Sequence, residues 1–226
     1  MPPGPPLPTS LDALRLALAA GVREFPGLRL RDLDGVDLDL SHCSLRGGWL
    51  KEARFGHASL AGADVEGCTF QRSLLWGADL SNLRASGSFW QEADLSSSKL
   101  QGAEFERAHL HRACLRGVLA TSSRWHGARL VEADFRSSLD QLTDLGHAEF
   151  QDADLTFALF QGANLQRADL RGAFLYGANF NQADLRGADL SGLDLRECLL
   201  QGANLQGANL QDTQFAEPWA AQDRAL

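Results

Sequence analysis

From Leu40 to Phe215 every fifth residue falls in one hydrophobic series, beginning Leu40, Leu45, Leu50, Phe55 and Leu60, and 30 of its 36 members are Leu or Phe. The others are Val65, Trp90, Trp125, Ala85, Ala120 and Asp140, so Asp140 alone is polar. Two residues before each member lies a second series (Cys43, Gly48, Ala53, Ala58, Ala63), in which 32 of 36 residues are small and Leu38, Leu83, Val118 and Leu193 are the bulky exceptions. A helix repeats every 3.6 residues and a strand every two, so neither keeps one face apolar under a strict period of five. A chain that turns a corner every five residues does. Four such units closing a square would place the central Leu or Phe in the middle and the small residue near the corner, where a longer side chain would collide. The pattern therefore predicts short extended sides joined by turns, with no helix inside the repeat.

The flanking positions read Asp, Asn, Gln, Arg, Ser and Gly, as in GADLSNL and QGANLQGANL. Glycines such as Gly162, Gly172 and Gly177 fall where a turn needs backbone angles that a β-carbon disfavours. Asp or Asn just before the central residue can hydrogen-bond nearby backbone, so much of the acidity is expected to serve the turns.

The ends and the breaks divide the chain. Residues 1–9, with Pro2, Pro3, Pro5, Pro6 and Pro8, read as a flexible leader. Residues 10–29 read as a capping helix and lead-in, with Ser10 as N-cap and Gly21 as stop, covering the exposed edge of the first coil. Residues 30–215 form the repeat, and 216–226, with Pro218 and Trp219, read as a tail or cap. Within the repeat, residues 136–147 place Asp140 at a central position, where a buried unpaired charge costs several kcal/mol, so the chain is expected to bulge out there. The stretches 82–90 and 117–127 are weaker, the second putting Val118 and Ala120 in reversed size order. A bulge of five or ten residues would keep the fivefold frame yet rotate every later unit to another face.

Charge narrows the partners. A net charge of −8 argues against a nucleic-acid ligand, whose phosphates need clustered Lys and Arg. No stretch is long and apolar enough to span a bilayer and the N-terminus lacks a basic and apolar signal pattern, so the expectation is a soluble cytoplasmic protein with no membrane partner. Cys43, Cys68, Cys114 and Cys198 lack C-x-x-C spacing and are expected as reduced thiols, the first, second and fourth inward and Cys114 outward. His109 and His111 form an H-x-H with no third ligand fixed nearby, so no metal is expected. With no phosphate loop, nucleophile elbow or zinc-protease motif, and carboxylates that follow the repeat, the chain is expected to be no enzyme and to use no cofactor.

Outward residues that break polarity are the informative ones. Phe157, Phe174 and Tyr176 fall on one face in adjacent coils with Leu159 and Leu199 near its edge, while Trp49, Leu74, Trp76 and Phe89 form an N-terminal group. They are read either as partner contacts or as scattered exposure and packing under loops.

The A-[DN]-[LF]-x-x pattern, over about residues 30 to 215, resembles the pentapeptide-repeat family. That resemblance implies an all-β fold, a right-handed quadrilateral β-helix with 20 residues per coil. Its 36 units would then make nine coils. At a strand spacing of about 4.8 Å the shaft would be roughly 40 Å long. Within the family, RSSLDQLTDLG at 136–146, LLWGADLS at 74–81 and AAGVREFPGLRLRD at 19–32 are similar to the HetL-like cyanobacterial regulators. That likeness implies a protein partner of the transcription-regulator type represented by HetR, with Asp140, Asp144 and their neighbours as contact surface. The alternative is a DNA-mimicking, gyrase-protecting protein of the Qnr and MfpA type, which needs a continuous negative face. Asp134, Asp154 and Asp194 stack only if the frame is uninterrupted, and Arg116, Arg136 and Arg196 lie near them. A structural scaffold is the third reading. Related proteins often dimerise through the C-terminal end, which leaves a homodimer open.

Overall fold

The computed structural model describes residues 6–216 except Arg31. The first five residues of the leader, and the tail from residue 217 with its Pro218, Trp219 and expected dimer end, lie outside the described residues. The chain folds as the right-handed quadrilateral β-helix, preceded by a single short helix, α1 (Leu11–Ala19). The Ser10 hydroxyl oxygen accepts from the Ala13 N–H at 3.2 Å, and Gly21, at φ 84, stops the helix. Leu14 of α1 is fully buried, with Leu11, Ala17 and Leu18 packed beside it, so the helix lays its apolar face over the open end of the shaft.

The coil begins at Glu24, earlier than residue 30. Glu24 pairs in parallel with Ser44, Arg29 with Trp49, Asp34 with Arg54 and Asp39 with Ser59. These four define sides 1 to 4, and successive coils repeat them 20 residues apart. Each corner follows one scheme. The Leu45 N–H donates to Asp64 O at 2.7 Å, Gly47 N–H to Glu66 O at 2.9 Å and Asp64 N–H to Cys43 O at 2.8 Å. The second turn residue of each unit lies in the left-handed region, as Gly47 (φ 65) and His57 (φ 56) do. The Asp or Asn before the centre caps the turn as expected: Asp39 Oδ1 accepts from Ser41 N–H at 2.9 Å and Asn164 Oδ1 from Gln166 N–H at 3.0 Å.

The central residues fill the shaft and stack along its axis. Phe70 lies 4.1 Å from Trp90 at 8°, Phe105 4.5 Å from Trp125 at 4° and Phe160 4.9 Å from Phe180 at 1°. The weak stretches 82–90 and 117–127 do not interrupt the coil, since Leu80, Ala85 and Trp90 are all fully buried in sequence, as are Leu115, Ala120 and Trp125. In both, a small centre is preceded by a bulky corner residue and followed by Trp. Ala85 follows Leu83, and the Trp90 indole N–H donates to Ser88 Oγ at 2.6 Å; Ala120 follows Val118, and Trp125 donates to Ser123 Oγ at 2.6 Å. Each serine hydroxyl in turn donates a hydrogen bond to the carbonyl of the alanine three residues before it. Size is conserved within the pentad, the small centre yields room to the indole, and serine satisfies its buried donor. Gly35 after Leu33 follows the same rule, since a β-carbon at Gly35 would approach the Phe55 ring to 2.7 Å.

The bulge is a five-residue insertion at residues 138–142, because Leu119 pairs with Asp144 and Asp134 with Leu159, 25 residues on. Thr143 already occupies a small buried position. Its hydroxyl closes the gap, accepting from Gly117 N–H at 2.8 Å and donating to Arg136 O at 2.9 Å. Ser137 pins the root of the loop by donating to Gly162 O at 2.9 Å while accepting from Thr143 N–H at 3.1 Å. Every later unit is rotated by one side. Asp134 therefore stands on side 3, while Asp154 and Asp194 stand on side 2, and the three carboxylates do not stack.

Candidate functional site

Side 1 carries the charge. Asp64 is buried between Arg46 (3.0 Å) and Arg84 (2.8 Å), Arg124 reaches Glu104 at 2.6 Å, and Arg171 joins Asp169 at 2.5 Å and Asp189 at 3.8 Å. Asp64, Arg84, Glu104 and Arg124 alternate in sign along the side, whereas Glu149, Asp169 and Asp189 follow one another as three carboxylates, with Arg171 paired to the last two.

Bonds to arginine and serine hold several carboxyls below their ordinary range. Asp169 and Asp184 are lowered first by hydrogen bonds from Arg171 and Arg186, and Asp189 first by one from Ser191. His109 is also depressed, first by burial and then by Arg129. Groups with depressed folded pKa values bind fewer protons in the folded than in the unfolded state, so each contributes stability that is lost as pH falls. The urea midpoint should hold above pH 6.5, dip slightly below that value as His109 titrates, and fall steeply below the ordinary aspartate value of 3.8. A midpoint rising between pH 5 and 3 would contradict these assignments.

Burial favours the protonated form of all four thiols. Burial pushes Cys43 up to about 11 and Cys68 and Cys198 to about 12, and it raises Cys114, which is half-buried. His109 stacks on Phe89 at 5.0 Å. Among the described residues no group of three His, Cys, Asp or Glu could hold a metal ion, and no helix is long and apolar enough to cross a membrane.

The predicted aromatic positions separate into two groups. Trp49 and Phe89 share side 2 with Thr69 between them, whereas Leu74 lies on side 3 and Trp76 at the corner after it, so the N-terminal four make no single patch. Trp76 lies over Gly56, where a β-carbon would meet its ring at 2.8 Å, and beside His57 at 4.3 Å. Its ring is thus partly used in packing.

The C-terminal group does come together. Phe174 pairs with Asp154 on side 2, and Phe157 and Tyr176 meet edge-on at 5.5 Å at the next corner. Phe174 is 64% exposed, Tyr176 59% and Phe157 49%. Leu159 and Leu199 follow on side 3, in register through Asn179. Phe157 is the one apolar residue among the non-glycine residues with left-handed backbone, at φ 57. Bulky residues avoid that region, so the position keeps its ring at a conformational cost. The ring covers Gly177, whose β-carbon would lie 2.4 Å from it.

Across side 3 from this corner stands the inserted loop. Asp140 is exposed at its tip, beside Leu139, which is wholly exposed, and Leu142. Asp144 is half-buried on side 4, where it accepts from Gly146 N–H (3.0 Å) and Asn164 Nδ2 (2.8 Å), so it serves the turn. Leu139 and Leu142 were missed as candidates because only the polar residue at the central position drew attention to the loop. Together these residues frame side 3 with apolar side chains on both edges, a surface suited to a protein.

The sequence model described as Pentapeptide repeats matches the chain in eight copies, over residues 39–77, 77–112, 148–187 and 183–217, leaving out the stretch with the inserted loop. Among solved structures, the chain is similar to HetL, a pentapeptide-repeat protein involved in heterocyst differentiation regulation, from the cyanobacterium Nostoc sp. strain PCC 7120. Identity is 31%, over 92% of this chain and 95% of that one, with a TM-score of 0.77. It is also similar to QnrB1, a plasmid-mediated fluoroquinolone resistance protein, at 22% identity over 86% of this chain and 92% of that one, with a TM-score of 0.41. No curated protein matches the chain by sequence.

Proposed function

Since the chain belongs to the pentapeptide-repeat family, we propose that it is a non-catalytic, cytoplasmic protein-binding shaft of the HetL-like kind, whose partner is a transcription regulator of the HetR type. The observation that carries this reading is the exposed cluster of Phe157, Phe174 and Tyr176, which the fold itself does not need. A solenoid gains nothing from three large rings outside its core, and Phe157 holds its ring out on unfavourable backbone. Side 3 with Leu159 and Leu199 extends the contact, and the loop at 138–142, with Asp140 beside Leu139 and Leu142, closes its far edge. Trp49, Trp76 and Phe89 lie outside this area and are assigned to packing or to a weaker second contact.

The immobilised chain, incubated with lysate of its source organism, should retain a HetR-type regulator identified by mass spectrometry. Phe174→Ala should reduce that capture at least tenfold, because a central aromatic contact is worth about 2 kcal/mol or more. Its melting temperature should stay within a degree or two. Phe157→Asn should likewise reduce capture, and it should leave stability unchanged or raise it by up to about 1 kcal/mol, since asparagine tolerates the left-handed backbone. Equal capture by wild type and Phe174→Ala would overturn the site. Recovery of gyrase in place of a regulator would overturn the partner.

A further inference from the structure

Side 2 contains one break. From Glu24 to Gln214, every described side pairs coil to coil except between Phe174 and Asp194, although Phe174 pairs below with Asp154 and Asp194 pairs above with Gln214. Four bonds that the scheme calls for are missing there: Gly172 N–H to Ser191 O, Leu175 N–H to Asp194 O, Gly177 N–H to Arg196 O, and Asp194 N–H to Ala173 O. The adjacent sides close normally, with Leu170 N–H on Asp189 O at 3.0 Å and Phe180 N–H on Leu199 O at 2.8 Å. The opening is therefore confined to one side of one coil.

Its cause is legible in the packing. Outside the first coil, the pentad with Leu193 and Leu195 is the one that puts a bulky residue at both the corner and the centre, and both are buried. In the first coil Leu38 and Leu40 are both buried and the side still pairs, whereas in the later coils a bulky corner is matched by a small centre, as in Leu83 with Ala85 and Val118 with Ala120. Here nothing yields, and the excess volume wedges the coil away from its neighbour.

The result is a cleft of about 260 Å³ that borders the aromatic cluster, lined by Phe174, Leu175 and Tyr176 on one lip and Asp194 and Glu197 on the other. Arg196 is committed to Asp194 at 2.6 Å, which leaves Glu197 as the uncommitted carboxylate of the rim among the described residues. The unpaired carbonyls of Ala173 and Asp194, both lining residues, add acceptors. We propose that this opened side receives an arginine side chain of the partner protein, its stem against Phe174 and Tyr176 and its guanidinium against Glu197 and the free carbonyls. Arginine fits because it combines an apolar stem and a planar face for aromatic rings with several donors in a fork, and because the lining offers negative charge without a competing free cation. The proposal rests on the protein-binding reading above, and it assigns that surface an electrostatic anchor.

Tyr176 is the sole tyrosine of the chain, so 3-fluorotyrosine labelling places one fluorine-19 NMR probe in this cleft. Titration at pH 6.5 with the capped tripeptide acetyl-Gly-Arg-Gly-amide should move that resonance saturably, with dissociation in the millimolar range. The citrulline peptide, which keeps the shape and loses the charge, should bind at least tenfold more weakly. Glu197→Gln should weaken the arginine peptide about fivefold. Leu193→Ala restores the small corner residue, so the side should close, binding should vanish and the melting temperature should not fall. Amide exchange gives a check independent of any ligand: Leu175 and Gly177 should exchange much faster than Leu155 and Phe157 in wild type and equalise in Leu193→Ala. Equal binding of arginine and citrulline peptides, no saturable shift, or protected Leu175 and Gly177 amides would overturn the proposal. None of these outcomes touches the capture experiment with Phe174→Ala, so the anchor and the wider surface stand or fall separately.

Discussion

Leu165→Asp is expected to destroy the cooperative melting of the C-terminal half of the shaft. Leu165 is fully buried at a central position of side 4, in the coil directly above Leu145. Removing a buried leucine side chain costs about 2–5 kcal/mol. The carboxyl that replaces it has only hydrocarbon around it, and it adds desolvation or the work of protonating it, so the total exceeds about 5 kcal/mol. Whole domains are stable by only about 5–15 kcal/mol. Because each coil contacts only its neighbours, the loss should fall on the coils around residue 165 and those beyond it, while the Trp-containing coils keep part of their protection. Circular dichroism should show a lower and broader transition, and hydrogen exchange should show the amides from about 145 onward opening first. An unchanged melting curve would mean that the fifth-position leucines do not face the interior.

That assignment was readable from period alone, because a square coil of five-residue sides admits one large inward side chain per side and one compact one per corner. What period could not supply was compensation between positions. Ala85 and Ala120 look like defects when each position is judged by itself, yet each belongs to a pentad whose corner has grown by the volume its centre has lost, and each makes room for the next tryptophan. The serines two residues before Trp90 and Trp125 were the readable signal, since a small hydroxyl at a corner beside an indole has a donor to satisfy. The inserted loop was readable as a break but not as a rotation. Five extra residues leave the fivefold frame in phase, so nothing in the sequence distinguishes Asp154 above Asp134 from Asp154 on the side before it. The acidic stack, conditional on an uninterrupted frame, does not form for that reason.

The broken side shows the same limit from the other direction. Leu193 was visible as one of the bulky corner residues, but in isolation it resembles Leu83. Only its combination with central Leu195, with no residue yielding, separates a wedge from a compensated pair. The aromatic cluster required less, because Phe157, Phe174 and Tyr176 stand on the same side of the insertion and their register does not depend on its length. Sites assembled within 146–215 were thus readable, and any arrangement that crosses residue 140 needed the structure.

Trp125→Leu carries the second large expected effect, and its pattern of rescue tests the compensation rule. The indole lies between Phe105 at 4.5 Å and Phe150 at 5.9 Å, with Phe135 edge-on at 5.8 Å. Leucine there leaves part of the indole volume empty and forfeits the stacking, for a loss of about 2–4 kcal/mol. Ala120→Leu alone should also destabilise, by about 1–3 kcal/mol, because the added carbons enter space that Val118 and the indole already fill. If size is conserved across the two pentads, the triple variant Val118→Ala, Ala120→Leu, Trp125→Leu restores the ordinary pattern of compact corner and large centre. It should then be more stable than either single variant, with a coupling of about 1–3 kcal/mol. Ser123→Ala in the wild-type background should cost about 1–3 kcal/mol by orphaning the buried indole N–H, and nothing comparable in the triple variant, where no indole remains. Urea denaturation of the wild type, the three single variants, the triple variant and Ser123→Ala in both backgrounds decides it: simple additivity of the single changes would show that alanine, valine and tryptophan occupy this coil independently, and that the reversed size order is accidental.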